Sequence, residues 1–187
     1  MLKNFSFEKL DIEGAVIINP FLCEDERGFF SKSYEKDVFL EAGISTDIQE
    51  EFESLSKRGV IRGIHFQTSK PQSKIVKVLS GEIFDVAIDL RKDSKTYGQW
   101  RGVYLNDENM KSFYVPPGCA HGFLTISEHA LVSYRCTGKY IKEHDAGIKW
   151  DDKDLAIEWP LHLVDNITVS ERDNDLQSFK EYENVNK

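Results

Sequence analysis

The chain has 187 residues, enough for one domain with a sizeable core, and its 40% hydrophobic and 30% charged residues are those of ordinary soluble proteins. A formal net charge of −8 argues against nucleic acid as a partner, while leaving room for a local basic pocket for a phosphate. No apolar run approaches the roughly 18 residues of a membrane span. Residues 1–5 lack the apolar core of a signal peptide. Cys23, Cys119 and Cys136 stand at unrelated spacings and read as reduced thiols of a cytoplasmic protein rather than a disulfide framework.

In chain order, residues 15–18 form a short β run that ends at Asn19-Pro20. Residues 25–28 read as a turn and residues 29–34 as the strand after it. Residues 36–42 predict a helix, with Val38 and Phe39 as its apolar patch and Gly43 as its stop. From about Asp47 onward strands dominate. Residues 60–64 carry the β-branched Val60, Ile61 and Ile64, and residues 75–79 resume the β pattern. Between them lies a polar connection, residues 68–72, that contains Pro71. If that connection is a hairpin, His65 and Lys74 face one pocket. By residue type alone the two read more readily as surface groups on an ordinary hairpin.

Residues 81–90 alternate. Phe84, Val86, Ile88 and Leu90 share one face; Ile83, Asp85, Ala87 and Asp89 share the other. The mixed face fits either a solvated outer surface or the lining of a polar cavity. Residues 91–99 form a polar loop, followed by strands at residues 100–105 and 112–115. Residues 122–126 and 130–135 look like a pair of strands joined across Ser127-Glu128-His129. A short C-terminal helix is expected, with Leu176 and Phe179 spaced i, i+3 and Ser170 as a cap. Many short strands separated by turns read as an all-β sandwich or barrel.

Two spaced patterns then stand out. Gly59, His65, Gln67, Lys74 and Gly81 follow the spacing of the first cupin motif, and Pro116, Gly118, His121 and Thr125 that of the second. The chain thus resembles a cupin-type antiparallel jelly roll with a few short peripheral helices. Only His65 and His121 remain of the four usual metal ligands, and Lys74 replaces a carboxylate. Two imidazoles beside an ammonium form a poor site for a divalent ion.

The match narrows with Glu26-Arg27-Gly28-Phe29-Phe30, Arg62-Gly63-Ile64-His65-Phe66-Gln67, Ala120-His121-Gly122-Phe123, Tyr134, Tyr140, Glu158-Trp159-Pro160 and Val169-Ser170-Glu171-Arg172-Asp173. These motifs resemble the dTDP-4-dehydrorhamnose 3,5-epimerase family, over about residues 10–175 of a single domain. The resemblance implies a nucleotide-linked 4-keto-6-deoxy sugar as substrate, proton removal and return at carbons 3 and 5, and no cofactor. It also implies a homodimer in which an N-terminal segment of one subunit adds to the sheet of the other.

Within that resemblance His65 is the base, the side-chain type suited to proton transfer at neutral pH. Asp173 orients it, Lys74 stabilises charge on the carbon-4 oxygen, and Tyr134 is the acid on the opposite face. Arg27 and Arg62 face the diphosphate and sugar, Tyr140 stacks near the substrate, and His121 is a pocket wall. Phe30 and Gln67 complete the expected substrate contacts, with Asp85 as a second carboxylate near Lys74 or His121.

The chain departs from the family where Gln-Asp-Asn usually precedes the Arg-Gly-x-His motif. It has Glu50-Glu51-Phe52 there. An acidic Glu50 repels a diphosphate, and Phe52 cannot replace the hydrogen bonds of an amide. Both positions are expected to bear on the substrate, with weaker turnover of the ordinary sugar nucleotide. A single-centre epimerase, a ketoisomerase, a non-catalytic sugar-binding cupin and a metal-dependent oxygenase remain alternatives. Against the last, the pocket is expected to hold no metal. Elemental analysis checks this, and a stoichiometric transition metal that survives dialysis and is needed for activity overturns it.

Overall fold

The computed structural model describes residues 2–185. Its strands run in chain order as β1 (Leu2–Lys3), β2 (Ser6–Lys9), β3 (Val16–Asn19), β4 (Phe21–Asp25) and β5 (Gly28–Lys32), then helix α1 (Lys36–Glu41). There follow β6 (Ile48–Lys57), β7 (Ile61–Gln67), β8 (Lys74–Ser80), β9 (Glu82–Asp89), β10 (Trp100–Asn106), β11 (Ser112–Val115), β12 (Cys119–Thr125), β13 (His129–Thr137) and β14 (Asp145–Gly147). Helices α2 (Glu171–Asn174) and α3 (Phe179–Val185) close the described chain.

The strands form two large antiparallel sheets and one small one. The six-stranded sheet has the order β2-β3-β11-β8-β13-β6, the five-stranded sheet β10-β9-β12-β7-β14, and the small sheet β1-β4-β5. The architecture is the expected all-β jelly roll of the cupin type. Two local expectations fail. β7 and β8 are not a hairpin, and β12 and β13 are not paired, because each pair divides between the two large sheets. The reason is burial. Every residue of β12 is buried, and β7 is buried along most of its length. A two-stranded ribbon would leave one of those faces in water, whereas strands split between facing sheets cover one another.

The inner faces meet in a core that includes Val76, Val78, Ile83, Ala87, Phe113, Val132 and Tyr134. The outer face of the five-stranded sheet is apolar too, with Ile61, Ile64, Phe84, Val86, Ile88 and Leu124. The C-terminal segment covers it with Leu155, Trp159, Phe179 and Tyr182. The mixed face of β9 is therefore not a solvated surface. Asp85 and Asp89 are both fully buried. Phe39 of α1, also fully buried, anchors a third cluster against Val16, Ile18 and Ile75.

Ser170 caps α2 as expected, its Oγ accepting from Asp173 N at 3.1 Å. The single C-terminal helix does not form, and Leu176 lies in the break between α2 and α3. Ser178 and Glu181 restart the helix with a capping box. Glu181 N donates to Ser178 Oγ at 3.2 Å, and Ser178 N donates to Glu181 Oε2 at 2.7 Å.

Asp89 fastens the loop over residues 91–99. Its carboxylate accepts from Arg91 Nε at 2.8 Å, Arg91 N at 3.0 Å and Thr96 Oγ1 at 2.7 Å. Burial alone would raise this carboxyl, but the donors outweigh it and bring the pKa down to about 2. A group held below its ordinary 3.8 adds stability above that pH and loses it as the pH falls through about 2. Asp89→Asn should therefore lower the unfolding free energy by on the order of 2 kcal/mol at neutral pH. The gap from wild type should close between pH 3.8 and about 2, as read by urea denaturation at each pH.

Candidate active site

Strands from both large sheets converge on one end of the sandwich. β7 presents Arg62, His65 and Gln67. Lys74, at the start of β8 in the other sheet, lines the same cavities, so His65 and Lys74 meet across the sandwich rather than along a hairpin. β13 contributes Tyr134, and the inner face of the edge strand β6 contributes Glu50, Phe52 and Ser54. β12 places His121 in register with His65. Two cavities of about 400 and 260 Å³ adjoin here and share Phe52, His65, Lys74 and Arg172. Cavities of this size suit small organic ligands.

The smaller cavity holds the chemistry. His65 Nε2 lies 2.7 Å from Asp173 Oδ1, and Asp173 Oδ2 accepts the backbone N–H of Gly63 at 3.1 Å. Asp173 is 5% exposed. Burial opposes its charge, but His65 and the Gly63 N–H prevail and hold the carboxyl below its ordinary value. With Nε2–H given to Asp173, a neutral His65 carries its lone pair on Nδ1. The backbone at Gly63 requires glycine. Its φ is +110°, and a Cβ there would stand 2.7 Å from both Gly122 Cα and His121 O. This close crossing of β7 and β12 sets where His65 and His121 sit.

A second histidine–carboxylate pair lies deeper, with His121 Nε2 2.6 Å from Asp85 Oδ1. Burial raises the Asp85 carboxyl, and His121 and Lys74 oppose that rise. Lys74 is pushed down from the usual lysine range by burial, with Cys136, Asp85 and Asp145 pulling the other way. Burial raises the Tyr134 phenol well above its ordinary value. Its ring stacks on Phe52 at 4.8 Å and 17°, and its hydroxyl lies 3.4 Å from Ser54 Oγ. Tyr134 is thus both a core residue and a cavity wall. A base with an orienting carboxylate, a poorly hydrated cation and a protonated phenol around one cavity can abstract a proton, hold the resulting anion and return a proton.

The structure brings together His65, Lys74, Tyr134, Asp173, Arg62, His121, Phe52, Glu50, Gln67 and Tyr140 on the two cavities. Asp85 stands behind His121, lining neither. Arg27 and Phe30 are not brought there. Arg27 pairs with Asp25 on the exposed turn between β4 and β5, and Phe30 lies 61% exposed on β5. Sequence reasoning missed Arg172, Asp145 and Gln72, which line the larger cavity. Arg172 adjoins Asp173 in a quoted motif and was within reach. Asp145, which accepts from both Arg172 and Tyr140 OH, carries no local signal.

A family profile described as dTDP-4-dehydrorhamnose 3,5-epimerase matches residues 9–181. A protein of that name from Methanothermobacter thermautotrophicus is 48% identical over 96% of this chain and 97% of its own length. The epimerase of Legionella pneumophila, solved with dTDP-4-keto-L-rhamnose, superposes with a TM-score of 0.90 at 39% identity, covering 95% of this chain and 94% of that one. A 3′-monoepimerase from Streptomyces bikiniensis superposes with a TM-score of 0.87 at 28% identity, covering 95% and 89%. The chain belongs to the dTDP-4-dehydrorhamnose 3,5-epimerase family, a family of isomerases.

Proposed function

We propose that the chain inverts carbon 3, carbon 5 or both of a dTDP-linked 4-keto-6-deoxy sugar through an enolate, in the making of deoxysugar precursors. The observation that carries this reading is the set His65, Asp173, Lys74 and Tyr134 around one cavity. A proton beside a ketone is weakly acidic, so its removal needs a base near neutrality and a stabilised enolate oxygen. His65 takes the proton on Nδ1. Asp173 holds the ring and favours the imidazolium that forms. Lys74 supplies positive charge at the carbon-4 oxygen in a place where little water competes. Tyr134, kept protonated by burial, returns a proton from the other face. Proton transfer of this kind needs no cofactor. The larger cavity takes the nucleotide, with Tyr140 as an aromatic platform.

The same reading includes a homodimer with one active-site domain per chain, its core about residues 10–175. In it the 21–32 hairpin of one subunit brings Arg27 and Phe30 to the site of the other. The exposed Phe29 and Phe30, each 61%, support this, as does Leu55 at 64% on β6, whose outer edge has no partner among the described residues. Sedimentation equilibrium at micromolar concentration should give twice the chain mass of 21.5 kDa, and a monomer counts against the shared site. A cytoplasmic location is part of the proposal. No helix among the described residues is long and apolar enough to cross a membrane.

The roles separate in deuterated water with dTDP-4-keto-6-deoxyglucose. His65→Ala should abolish deuterium incorporation at both carbons, because no enolate forms. Tyr134→Phe should keep exchange and suppress net inversion. Lys74→Met should slow exchange by a factor on the order of 100, the loss of one preorganised oxyanion contact. Asp173→Asn should slow exchange without ending it. Loss of exchange in Tyr134→Phe as complete as in His65→Ala would show that one base and one opposite-face acid is the wrong division.

A further inference from the structure

Tyr140 stands at the mouth of the larger cavity on a stretch, residues 138–141, that belongs to no strand or helix. With no ladder to join, its backbone groups need other partners. They find them in three side chains. Tyr140 N–H donates to Glu50 Oε1 at 2.9 Å, and Ile141 N–H donates to Gln67 Oε1 at 2.6 Å. Gln67 Nε2 donates back to Lys139 O at 3.3 Å. Gln72 Nε2 donates to Gly138 O at 3.0 Å and to Glu50 Oε2 at 3.3 Å. Glu50 comes from β6 in one sheet, Gln67 from β7 in the other, and Gln72 from the connection between β7 and β8. At the far end of the ring, Tyr140 OH donates to Asp145 Oδ2 at 2.9 Å.

We propose that Glu50, Gln67 and Gln72 form a polar bracket that positions Tyr140, and that Glu50 serves nucleotide binding through Tyr140 rather than by touching the substrate. This rests on the reading of the larger cavity as the nucleotide site. Both Glu50 oxygens are engaged by N–H donors of the protein itself. The carboxylate is therefore a strut before it is a charge facing a diphosphate. Hydrogen bonds to an ionised acceptor are also stronger than neutral ones. A ring already held at its backbone and at its hydroxyl loses little freedom when a base stacks on it, and that lowers the cost of binding. An amide at position 50 keeps one acceptor for Tyr140 N–H and gives up the one for Gln72 Nε2, so Glu50→Gln retains the contact that holds Tyr140. The expected repulsion and the bracket predict opposite effects of removing the carboxylate.

Two measurements test the bracket. The first uses hydrogen exchange of the ligand-free protein. Glu50→Ala should speed exchange of the Tyr140 amide by about tenfold or more, and Glu50→Gln should restore protection. The second uses dTDP binding by calorimetry together with kcat and KM. Glu50→Ala should weaken dTDP and raise KM by about tenfold while kcat changes far less, again with recovery in Glu50→Gln. Glu50→Ala combined with Tyr140→Ala should bind dTDP no worse than Tyr140→Ala alone, because one acts through the other. Tighter dTDP binding in Glu50→Ala, additive losses in the double variant, or an unchanged Tyr140 amide would each overturn the proposal. Wild-type protein that binds no dTDP while the amide behaves as expected would sink the nucleotide reading and leave the bracket standing.

Discussion

Ile61, Ile64, Phe84, Val86, Ile88 and Leu124 turn away from the facing sheet and would meet water if nothing covered them. Leaving such side chains exposed costs about 1.5–3 kcal/mol each. The chain covers them with its C-terminal segment, through Leu155, Trp159, Phe179 and Tyr182. Bridges from Val60 to Thr168 and from Ile148 to Gln177 seat that cover on the edge of the sheet. One result is structural, a sheet buried on both faces. The other is chemical. The cover delivers α2 to the middle of β7, and Asp173 reaches His65 across 108 residues of sequence. The dyad is thus a consequence of how an apolar face is kept dry.

The same dryness governs the charges. Asp85 is fully buried with one oxygen on His121, and its Oδ2 has no hydrogen-bond partner among the described residues. Lys74 lies in the same low-dielectric region. Charges so placed interact far more strongly than in water, and an unmatched one is costly. Burial pushes the Asp85 carboxyl up and the Lys74 amine down, so an ammonium at Lys74 has little water to offset it and favours an anion placed beside it.

The polar residues of the wall divide their work. His65, Lys74 and Tyr134 point chemical groups into the cavity, whereas Gln67 and Gln72 spend theirs on the backbone of the Tyr140 stretch. A residue that lines a cavity is therefore not by that fact a ligand contact. Gln67 was expected to touch substrate from its place beside His65, yet its amide nitrogen and oxygen both bond to neighbouring backbone groups.

Local chemistry in the sequence determined most of the strands from β7 to β13, the α1 helix with its Gly43 stop and the Ser170 cap. Each depends on residue type at short spacing. The alternation in residues 81–90 also named the two faces of β9, because side-chain direction in a strand repeats every second residue. Tertiary structure decided the rest. Only the pairing of whole sheets could show that β7 and β8 lie in different sheets instead of forming a hairpin, since a turn signal does not say which sheet the next strand joins. Only the folded chain could show that Asp85 lies behind His121 and that Glu50 holds Tyr140. Those contacts join residues 36 and 90 positions apart, and no local pattern encodes so long a range. Arg27 and Phe30 mark the same boundary from the other side. Their motif was plain in the sequence, but the fold of a single chain holds them away from the cavity, on a hairpin whose exposed rings lack cover.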